Sequence, residues 1–216
     1  MVQYVHFTDP NSPEMVKALE DIPRCPGACF FMDINRSTDM KYLGGLKEWG
    51  RKLNNTFNYL LYANHFQDFI VKGIGDEMML FVPDEALLAK PVQNPCFALL
   101  EDIYSGLFLI KNHPDSDLFL NCKVAIHYCT EVYNITFFEG ANDYYGSDID
   151  LTARLMGKGI ENRIVVSGKF YDKVVRELAL MGLPADTGCL SRVSEGFTEN
   201  FKGVPVSTAY RVIDVK

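Results

Sequence analysis

The sequence predicts an α+β domain in which helices pack on a mostly antiparallel sheet, and two observations lead to this fold class. Residues 70–82, IVKGIGDEMMLFV, place two apolar runs on either side of a Gly75–Asp76 turn, which is the pattern of a β-hairpin. Predicted strands and helices also interleave along the chain. Because hairpins exclude an all-parallel sheet, the interleaving indicates helices packed on one mostly antiparallel sheet.

The first half of the chain contains a buried strand, a long helix and the hairpin. The strand is predicted at 28–34, and polar residues 35–39 offer helix-capping side chains after it. Apolar residues then recur at helical spacing, which predicts a helix over 40–63. The hairpin follows at 67–82, a short helical turn at 84–90 and an amphipathic helix at 96–111. The apolar stripe of the long helix consists of Leu43, Leu46, Trp49, Leu53, Phe57, Leu60 and Leu61.

The second half alternates shorter elements. Apolar runs predict strands at 118–127, 131–138 and 163–167 and a closing β segment at 207–215. Helical spacing predicts helices at 148–158, after Gly146 and ended by Gly159, and at 168–180. No internal repeat or low-complexity linker separates these elements, so residues 28–216 are expected to form one domain.

Length and composition limit the class of protein. The chain has 216 residues, which is enough for a substantial core, and residues 1–27 carry four prolines, typical of an irregular lead-in with a short helix near 14–21. Hydrophobic residues make up 48% and charged residues 23%, as in ordinary globular proteins. The net charge of -7 argues against a nucleic-acid partner, which would require a basic face.

Cysteine spacing and the N-terminal sequence predict the compartment. The six cysteines form no CxxC pair and lie mostly within apolar runs, which favours buried free thiols. The N-terminus lacks the basic and apolar segments of a secretory signal. No apolar run reaches the roughly 18 residues of a membrane span. We therefore expect a cytoplasmic protein with no membrane partner.

Two carboxylates at predicted strand ends form the first candidate site. Asp33 ends the buried strand and Asp76 lies at the hairpin tip, so the two could share a divalent cation where their strands are neighbours. Hard oxygen ligands select Mg²⁺ or Mn²⁺, which usually join carboxylates to substrate phosphates. A helix cap and a turn residue explain the same two positions equally well.

Two further stretches carry polar side chains with alternative interpretations. The strand-to-helix junction around 34–39 exposes backbone N–H groups at a positive helix end, which suits a phosphate. Asp150 and Arg154 lie four residues apart on one helical face, where an ordinary ion pair is the simpler interpretation. His127, near the end of a strand, is expected to be a satisfied core histidine rather than a ligand or base.

Four stretches and a closing pair follow one another in an informative order. The four are CFFMDINRST at 29–38, VKGIGDEMMLF at 71–81, AIHYCTEV at 125–132 and DYYGSDIDLTARL at 143–155, and the closing pair is IVVSG at 164–168 and FKGVPVSTAYRV at 201–212. Together they resemble the class III nucleotide cyclases, the family of adenylate and guanylate cyclase catalytic domains. The family counterparts are a strand ending in Asp-Ile before a Gly-Ser-Thr loop, a Lys-x-x-Gly-Asp hairpin, an Ile-His-Thr-Gly-Glu-Val strand and an Asp-Tyr-x-Gly-x-x-Val-Asn-x-Ala-x-Arg-Leu helix. The resemblance implies a ferredoxin-like cyclase sandwich, with 28–216 as the catalytic domain.

The resemblance also implies a function and a metal requirement. Such an enzyme converts a nucleoside triphosphate into a 3′,5′-cyclic nucleotide second messenger and pyrophosphate. Asp33 and Asp76, with the Ile34 carbonyl, would hold two divalent cations, Mg²⁺ or Mn²⁺. Lys72 and Asp143 match the pair that reads adenine, which favours ATP.

The remaining implied roles concern the phosphates, the ribose and the assembly. Arg154 would stabilise charge on the α-phosphate and Lys202 would hold the terminal phosphates, while Asp150 stands where the ribose-orienting Asn is usual. The family shares each site between two subunits, which implies a homodimer. The loop that would surround the phosphates consists of Asn35, Arg36, Ser37 and Thr38.

Three departures from the family pattern keep other functions open. A carboxylate at Asp150 cannot donate the hydrogen bond that an amide can. Arg36 replaces a common Gly, and Cys129 and Thr130 replace the usual Gly after the His strand. One alternative is a pyrimidine cyclase that makes cyclic UMP or CMP in bacterial antiphage defence. Another is a catalytically inactive nucleotide-binding homologue, although Asp33, Asp76 and Arg154 are all retained. A diguanylate-type cyclase or polymerase palm lacks support from a GGDEF-like hairpin.

Overall fold

The computed structural model describes residues 3–4, 12–89, 92–138 and 141–216. Within these ranges the strands are β1 Gln3–Tyr4, β2 Gly27–Ile34, β3 Ile70–Ile74, β4 Glu77–Pro83, β5 Cys122–Cys129, β6 Ile135–Thr136, β7 Arg163–Ser167, β8 Phe197–Glu199 and β9 Thr208–Asp214. The helices are α1 Pro13–Glu20, α2 Ser37–Ala63, α3 Asp84–Ala89, α4 Pro95–Lys111, α5 Ser147–Met156 and α6 Gly168–Leu180. Short 3₁₀ turns occupy Gln67–Phe69, Ser116–Leu118 and Gly188–Arg192.

Seven strands form one sheet in the order β3-β4-β2-β5-β7-β9-β8. Every neighbouring pair is antiparallel except β5 and β7, which run parallel. This mostly antiparallel sheet with helices packed on it confirms the predicted α+β fold class. β1 and β6 form a separate two-stranded pair.

The two faces of the sheet bury different apolar clusters because neighbouring residues of a strand point to opposite sides. Phe30 belongs to the cluster that packs against α2, α4 and α6, whereas Phe31 belongs to the cluster that packs against α5. Both side chains are almost fully buried, and burial of a residue of this size contributes about 1.5–3 kcal/mol. Strand β2 is therefore covered on both faces, which explains its continuous apolar sequence.

The register of β2 positions the acidic residues of the site. Asp33 lies opposite Glu77 of β4 on one side and opposite Lys123 of β5 on the other. The β3–β4 turn places Gly75 at φ 69°, in the left-handed region that glycine adopts without strain. Asp76 follows this glycine, so the hairpin tip lies beside the end of β2.

Several predicted elements are confirmed, and others differ from the prediction. The strand at 163–167 and the helix at 168–180 have the predicted bounds, and the short helix of the lead-in is α1. The predicted strand 131–138 is mostly loop: only the two residues of β6 are extended, and they pair with β1 instead of the main sheet. The strand predicted from 118 begins at Cys122, because residues 116–118 form a 3₁₀ turn. The first eleven residues lie largely outside the described ranges.

Helix α2 departs from the predicted amphipathic pattern in its first turns. It begins at Ser37, three residues earlier than predicted, and bends at Gly45, whose φ and ψ of 77° and 156° are not helical. Leu43 is 89% exposed and Leu46 is 71% exposed, so their assignment to the apolar stripe is wrong. Met40, before the bend, and Trp49, after it, still pack against the core cluster, and Leu60 and Leu61 near the end of α2 are buried in it.

Two further expectations concern the cysteines and membranes. All six cysteines are free thiols, and five of them are buried. Across the described ranges, no helix combines the length and apolarity that crossing a bilayer would need.

Candidate functional site

Three acidic residues, Asp33, Asp76 and Glu77, lie where strand β2 ends beside the β3–β4 turn, and together they form the acidic group. The backbone N–H of Ile34 donates to the backbone carbonyl of Asp76 at 3.4 Å, which brings the two chain segments together. Asp33 precedes this contact and lies opposite Glu77 in the strand register. The structure therefore brings the backbone segments of Asp33 and Asp76 together, and it places Glu77 opposite Asp33.

The electrostatics of this acidic group suit a divalent cation. Partial burial and the negative charge of Asp33 raise the pKa of the Glu77 carboxyl, and Lys123 only partly opposes this shift. Lys123 Nζ lies 2.9 Å from Asp33 Oδ2, and Lys41 Nζ lies 3.5 Å from Asp76 Oδ1. Negative charge is thus still concentrated here despite two lysines. Carboxylate oxygens are the ligands that Mg²⁺ and Mn²⁺ prefer, so the donor set fits such an ion.

The predicted phosphate loop is partly engaged in holding the fold together. Asn35 Nδ2 donates to Glu161 Oε2 at 2.8 Å, and the buried Ser37 Oγ accepts from the Trp49 indole N–H at 2.9 Å. Arg36 is exposed and adopts φ 55°, ψ 27°, the left-handed conformation that glycine favours. Thr38 is also exposed. The guanidinium of Arg36 and the Thr38 hydroxyl are therefore the side-chain donors of this loop that face solvent.

Lys72 and Asp143 are brought together from distant parts of the sequence. Lys72 Nζ lies 2.8 Å from both carboxylate oxygens of Asp143. The backbone N–H of Tyr144 also donates to Asp143 Oδ1 at 2.8 Å, and the Tyr145 ring centroid lies 5.6 Å from Lys72 Nζ. The predicted base-reading pair thus exists as a donor beside an acceptor, each held by neighbouring groups.

Asp150, Arg154 and Lys202 line one cavity of about 480 Å³ between α5 and the chain that follows Phe201. Asp150 and Arg154 form no ion pair with each other in the part of the chain that the structure describes. The simpler interpretation of their four-residue spacing is therefore wrong. Because Asp150 does not engage it, the Arg154 guanidinium is available to a ligand in this cavity.

The acidic group and this cavity are separate within one chain. Among the described residues that line the cavity, neither Asp33 nor Asp76 is present. Lys72 and Asp143 do not line it either. One copy of the chain therefore presents the predicted residues as distinct surfaces instead of one closed pocket.

Some residues of the site were not identified from the sequence. Glu77 directly follows Asp76, so its position beside the predicted metal ligand was a usable signal. Lys123 and Lys41 gave no such signal, because their contacts depend on the register of β5 and on the start of α2. The lysines compensate part of the acidic charge, which pattern alone does not reveal.

His127 is buried as expected, but it is not fully satisfied. Its Nδ1 lies 2.7 Å from Ser167 Oγ, whereas its Nε2 has no hydrogen-bond partner and lies 3.3 Å from Asp148 Oδ1. Burial by itself would raise the pKa of Asp148, but the His127 ring and the N–H groups of Glu131 and Thr130 outweigh it. They hold that pKa well below its ordinary value, so Asp148 is an anion at neutral pH.

Comparison with known proteins relates this arrangement to solved structures. No protein-family model matches the chain, and no curated protein matches it. The adenylyl cyclase CyaB from P. aeruginosa is 18% identical, with a TM-score of 0.62 over 91% of this chain and 97% of that one. The guanylyl cyclase Cya2 is 15% identical, with a TM-score of 0.61 over 90% and 95% of the two chains.

A third solved structure is the catalytic core of a rhodopsin-guanylyl cyclase with converted specificity, in complex with ATPalphaS. It is 13% identical, with a TM-score of 0.63 over 91% of this chain and 99% of that one. At these identities the likeness concerns the fold, and it extends over nearly the whole length of this chain and of each chain in the solved structures. The chain therefore has the fold of the class III adenylyl and guanylyl cyclase catalytic domains.

Proposed function

We propose that this protein is a nucleotide cyclase that converts a nucleoside triphosphate into a 3′,5′-cyclic nucleotide and pyrophosphate. The proposal depends on one observation. Asp33, at the end of β2, lies beside Asp76 of the β3–β4 turn, in a fold shared with adenylyl and guanylyl cyclases. A carboxylate pair at this position suits a metal-dependent reaction of a phosphate substrate.

Asp33 and Asp76 would hold two divalent cations, Mg²⁺ or Mn²⁺, with the Ile34 carbonyl as an additional ligand. Bound ions of this kind lower the pKa of a hydroxyl nucleophile and neutralise a triphosphate. Lys123 and Lys41 already contact the two aspartates. Bound cations would take over from these lysines as the counter-charges of the two aspartates.

The reaction forms one bond and breaks another at the α-phosphorus. The ribose 3′-oxygen bonds to that phosphorus, the bond to the bridging oxygen of pyrophosphate breaks, and the hydroxyl proton leaves to solvent. Arg154 would stabilise the charge that develops on the α-phosphate, because a fixed cation acts most strongly where charge appears in the transition state. Lys202, in the same cavity, would hold the terminal phosphates, while the loop at 35–38 would contact the triphosphate from the side of the acidic group.

ATP is the substrate that the base-reading pair favours. Lys72 can donate to a ring nitrogen of adenine, and Asp143 can accept from the exocyclic amine. Their 2.8 Å contact supports this proposal because it places the donor and the acceptor side by side. The adenine edge would replace the direct contact between the two side chains.

A homodimer would complete the site. Within one chain the acidic group and the cavity of Arg154 and Lys202 are separate. A two-fold partner could place its own Arg154 opposite the acidic group of the first chain, and symmetry would then create two equivalent sites.

Asp150 favours a second candidate, a pyrimidine cyclase that uses UTP or CTP. It lines the cavity beside Arg154 and brings a negative charge to the position expected to orient the ribose. A carboxylate there changes the hydrogen bonds available to the sugar, which could shift the base as well.

Turnover with the four ribonucleoside triphosphates tests the proposal. Purified protein is incubated separately with ATP, GTP, CTP and UTP, each with Mg²⁺ or Mn²⁺, and the products are identified by mass. We expect cyclic AMP and pyrophosphate. Cyclic UMP or CMP would show that Lys72 and Asp143 do not select the base. Nucleotide binding without any cyclic product would support an inactive binding protein and overturn the enzymatic proposal.

A further inference from the structure

A second group of metal-ligating side chains lies outside the acidic group. His127 and Cys129 are two residues apart on β5, so both point to the same face of the sheet, and Asp148 lies in the first turn of α5 above them. One ligand atom from each residue lies within 4.8 Å of the other two. We propose that this His127–Cys129–Asp148 cluster binds one Zn²⁺ ion.

The separation of two ligand atoms matches tetrahedral coordination. His127 Nε2 and Asp148 Oδ1 are 3.3 Å apart. Zinc lies about 2.0–2.1 Å from a histidine nitrogen and about 2.0–2.2 Å from a carboxylate oxygen, so a tetrahedral angle separates these two ligands by roughly 3.3–3.5 Å. The separation of the two atoms therefore matches that of two ligands of one tetrahedral zinc ion.

The other polar atoms of these side chains already have partners. His127 Nδ1 contacts Ser167 Oγ at 2.7 Å, which fixes the ring and leaves Nε2 as the buried atom without a hydrogen bond. Asp148 Oδ2 accepts from the N–H of Glu131 at 2.9 Å and from Lys169 Nζ at 3.3 Å, which leaves Oδ1 for the ion. Such outer contacts orient metal ligands and are typical of zinc sites.

Cys129 supplies the sulfur that distinguishes this cluster from the acidic group. Its thiol is fully buried, and binding would exchange its proton for the ion, with the proton released to solvent. A nitrogen, a sulfur and a single oxygen favour Zn²⁺ over Mg²⁺, whereas Asp33 and Asp76 offer oxygen only. The two sites therefore select different ions.

The ion could reach the cluster and would act on the neighbouring helix. Asp148 is one of the residues that line the cavity of Arg154 and Lys202, so the cluster has a route to solvent on that side. Three protein ligands leave a fourth position for water. Because α5 also carries Asp150 and Arg154, the ion would fix the start of the helix that presents these two residues.

The experiment uses the full chain, freed of metal by a chelator and kept in excess Mg²⁺ so that oxygen-only sites are occupied. Zn²⁺ is titrated against a chromophoric chelator, and Co²⁺ is added to a second sample to detect thiolate-to-cobalt absorption. We expect one Zn²⁺ per chain, sulfur-to-cobalt absorption and a higher Tm with zinc. His127→Gln, Cys129→Ser and Asp148→Asn should each weaken zinc binding at least about tenfold.

Two control variants separate this cluster from other thiols and carboxylates. Cys122→Ser removes a buried thiol from the same strand, and Asp33→Asn alters the acidic group; both should bind zinc as the natural chain does. Absence of sulfur-to-cobalt absorption in the natural chain would overturn the proposal without reference to any variant. Equal zinc affinity in the natural chain and Cys129→Ser would overturn it too, and would leave His127 and Asp148 as an ordinary contact between neighbouring side chains.

Discussion

Lys72 Nζ contacts both carboxylate oxygens of Asp143 at 2.8 Å, although the two residues lie 71 positions apart in the sequence. Lys72 comes from β3, at one edge of the sheet, and Asp143 from the segment that leads into α5. The contact therefore joins the hairpin that bears Asp76 to the approach of the helix that bears Arg154.

The first prediction concerns the choice of base. Lys72→Met removes the donor to the ring nitrogen, and a hydrogen bond from a charged group is worth about 1.5–3 kcal/mol. We expect kcat/KM for ATP to fall roughly 10- to 100-fold, with a smaller loss for the other triphosphates. The measurement is kcat/KM for each of the four substrates.

Arg51→Met is the matched control, because it also breaks a cation–carboxylate pair, the exposed one with Glu48 on α2. It should leave the substrate ratios unchanged. A Lys72→Met enzyme with the same ATP preference as the natural chain would contradict the assigned role.

The second prediction separates transition-state stabilisation from binding. Arg154→Ala should lower kcat by about 10²–10³-fold and change KM much less, because the charge that it stabilises develops mainly in the transition state. Steady-state kinetics with the preferred triphosphate measure both constants. Arg176→Ala, at an exposed position of α6, is the control and should retain full activity. A rise in KM alone would show that Arg154 only binds phosphate.

Strands β2, β4 and β7 could be predicted from local pattern, whereas the contacts between strands could not. Residues 28–34 and the hairpin around Gly75 carry apolar runs and turn residues that determine their own structure. Lys123 lies opposite Asp33 only because β5 pairs with β2 in one register, and nothing near Lys123 in the sequence indicates that partner. Which strands pair with one another, and in which register, depends on the packing of the whole core.

Helix α2 shows how a glycine can override periodicity. Leu43 and Leu46 have the spacing of a buried stripe, but Gly45 bends the helix and leaves both exposed. The candidate site shows the same difference between local and tertiary signals. The positions of Asp33 and Asp76 could be predicted because they lie at strand ends, whereas the hydrogen bond from the Trp49 indole to Ser37 could not. Local signals locate residues, and tertiary packing decides which of them are occupied by structural contacts.

The third prediction concerns pH and the acidic group. Glu77 has a pKa raised above its ordinary value of 4.5 by burial and by Asp33, so the folded chain holds a proton there more tightly than the unfolded chain. The free energy of unfolding must then fall as the pH rises from the pKa of Glu77 in the unfolded chain through its higher pKa in the folded chain. Glu77→Gln should therefore raise Tm at neutral pH and have little such effect below the unfolded pKa.

Tm measured across this pH range in metal-free buffer tests the sign. Added Mn²⁺ should reduce the gain, because a bound cation compensates the same negative charge in the natural chain. Glu195→Gln, at an exposed position, serves as the control. A Tm gain for Glu77→Gln that persists unchanged at acidic pH would argue against this electrostatic origin.

The fourth prediction concerns Asp150. Replacement by Asn keeps the shape of the side chain, removes a negative charge beside the triphosphate and restores a hydrogen-bond donor to the ribose. Asp150→Asn should therefore raise turnover with ATP relative to UTP and CTP. The four-substrate assay measures this ratio directly. No gain with any triphosphate would show that Asp150 does not limit the reaction.

The last prediction tests the shared site. Asp33→Asn removes a metal ligand and Arg154→Ala removes the transition-state cation, so each variant alone should be inactive. When the two variants are mixed and allowed to exchange subunits, half of the dimers contain one chain of each variant. Such a mixed dimer has one intact site, in which Asp33 comes from the Arg154→Ala chain and Arg154 comes from the Asp33→Asn chain. Activity should recover to about a quarter of the natural level. Recovery depends on the separation of the acidic group from the Arg154 cavity within each chain. If both residues served the same site from one chain, mixing would restore nothing, even where dimers form, and that result would reject the shared-site arrangement while leaving cyclase activity itself intact.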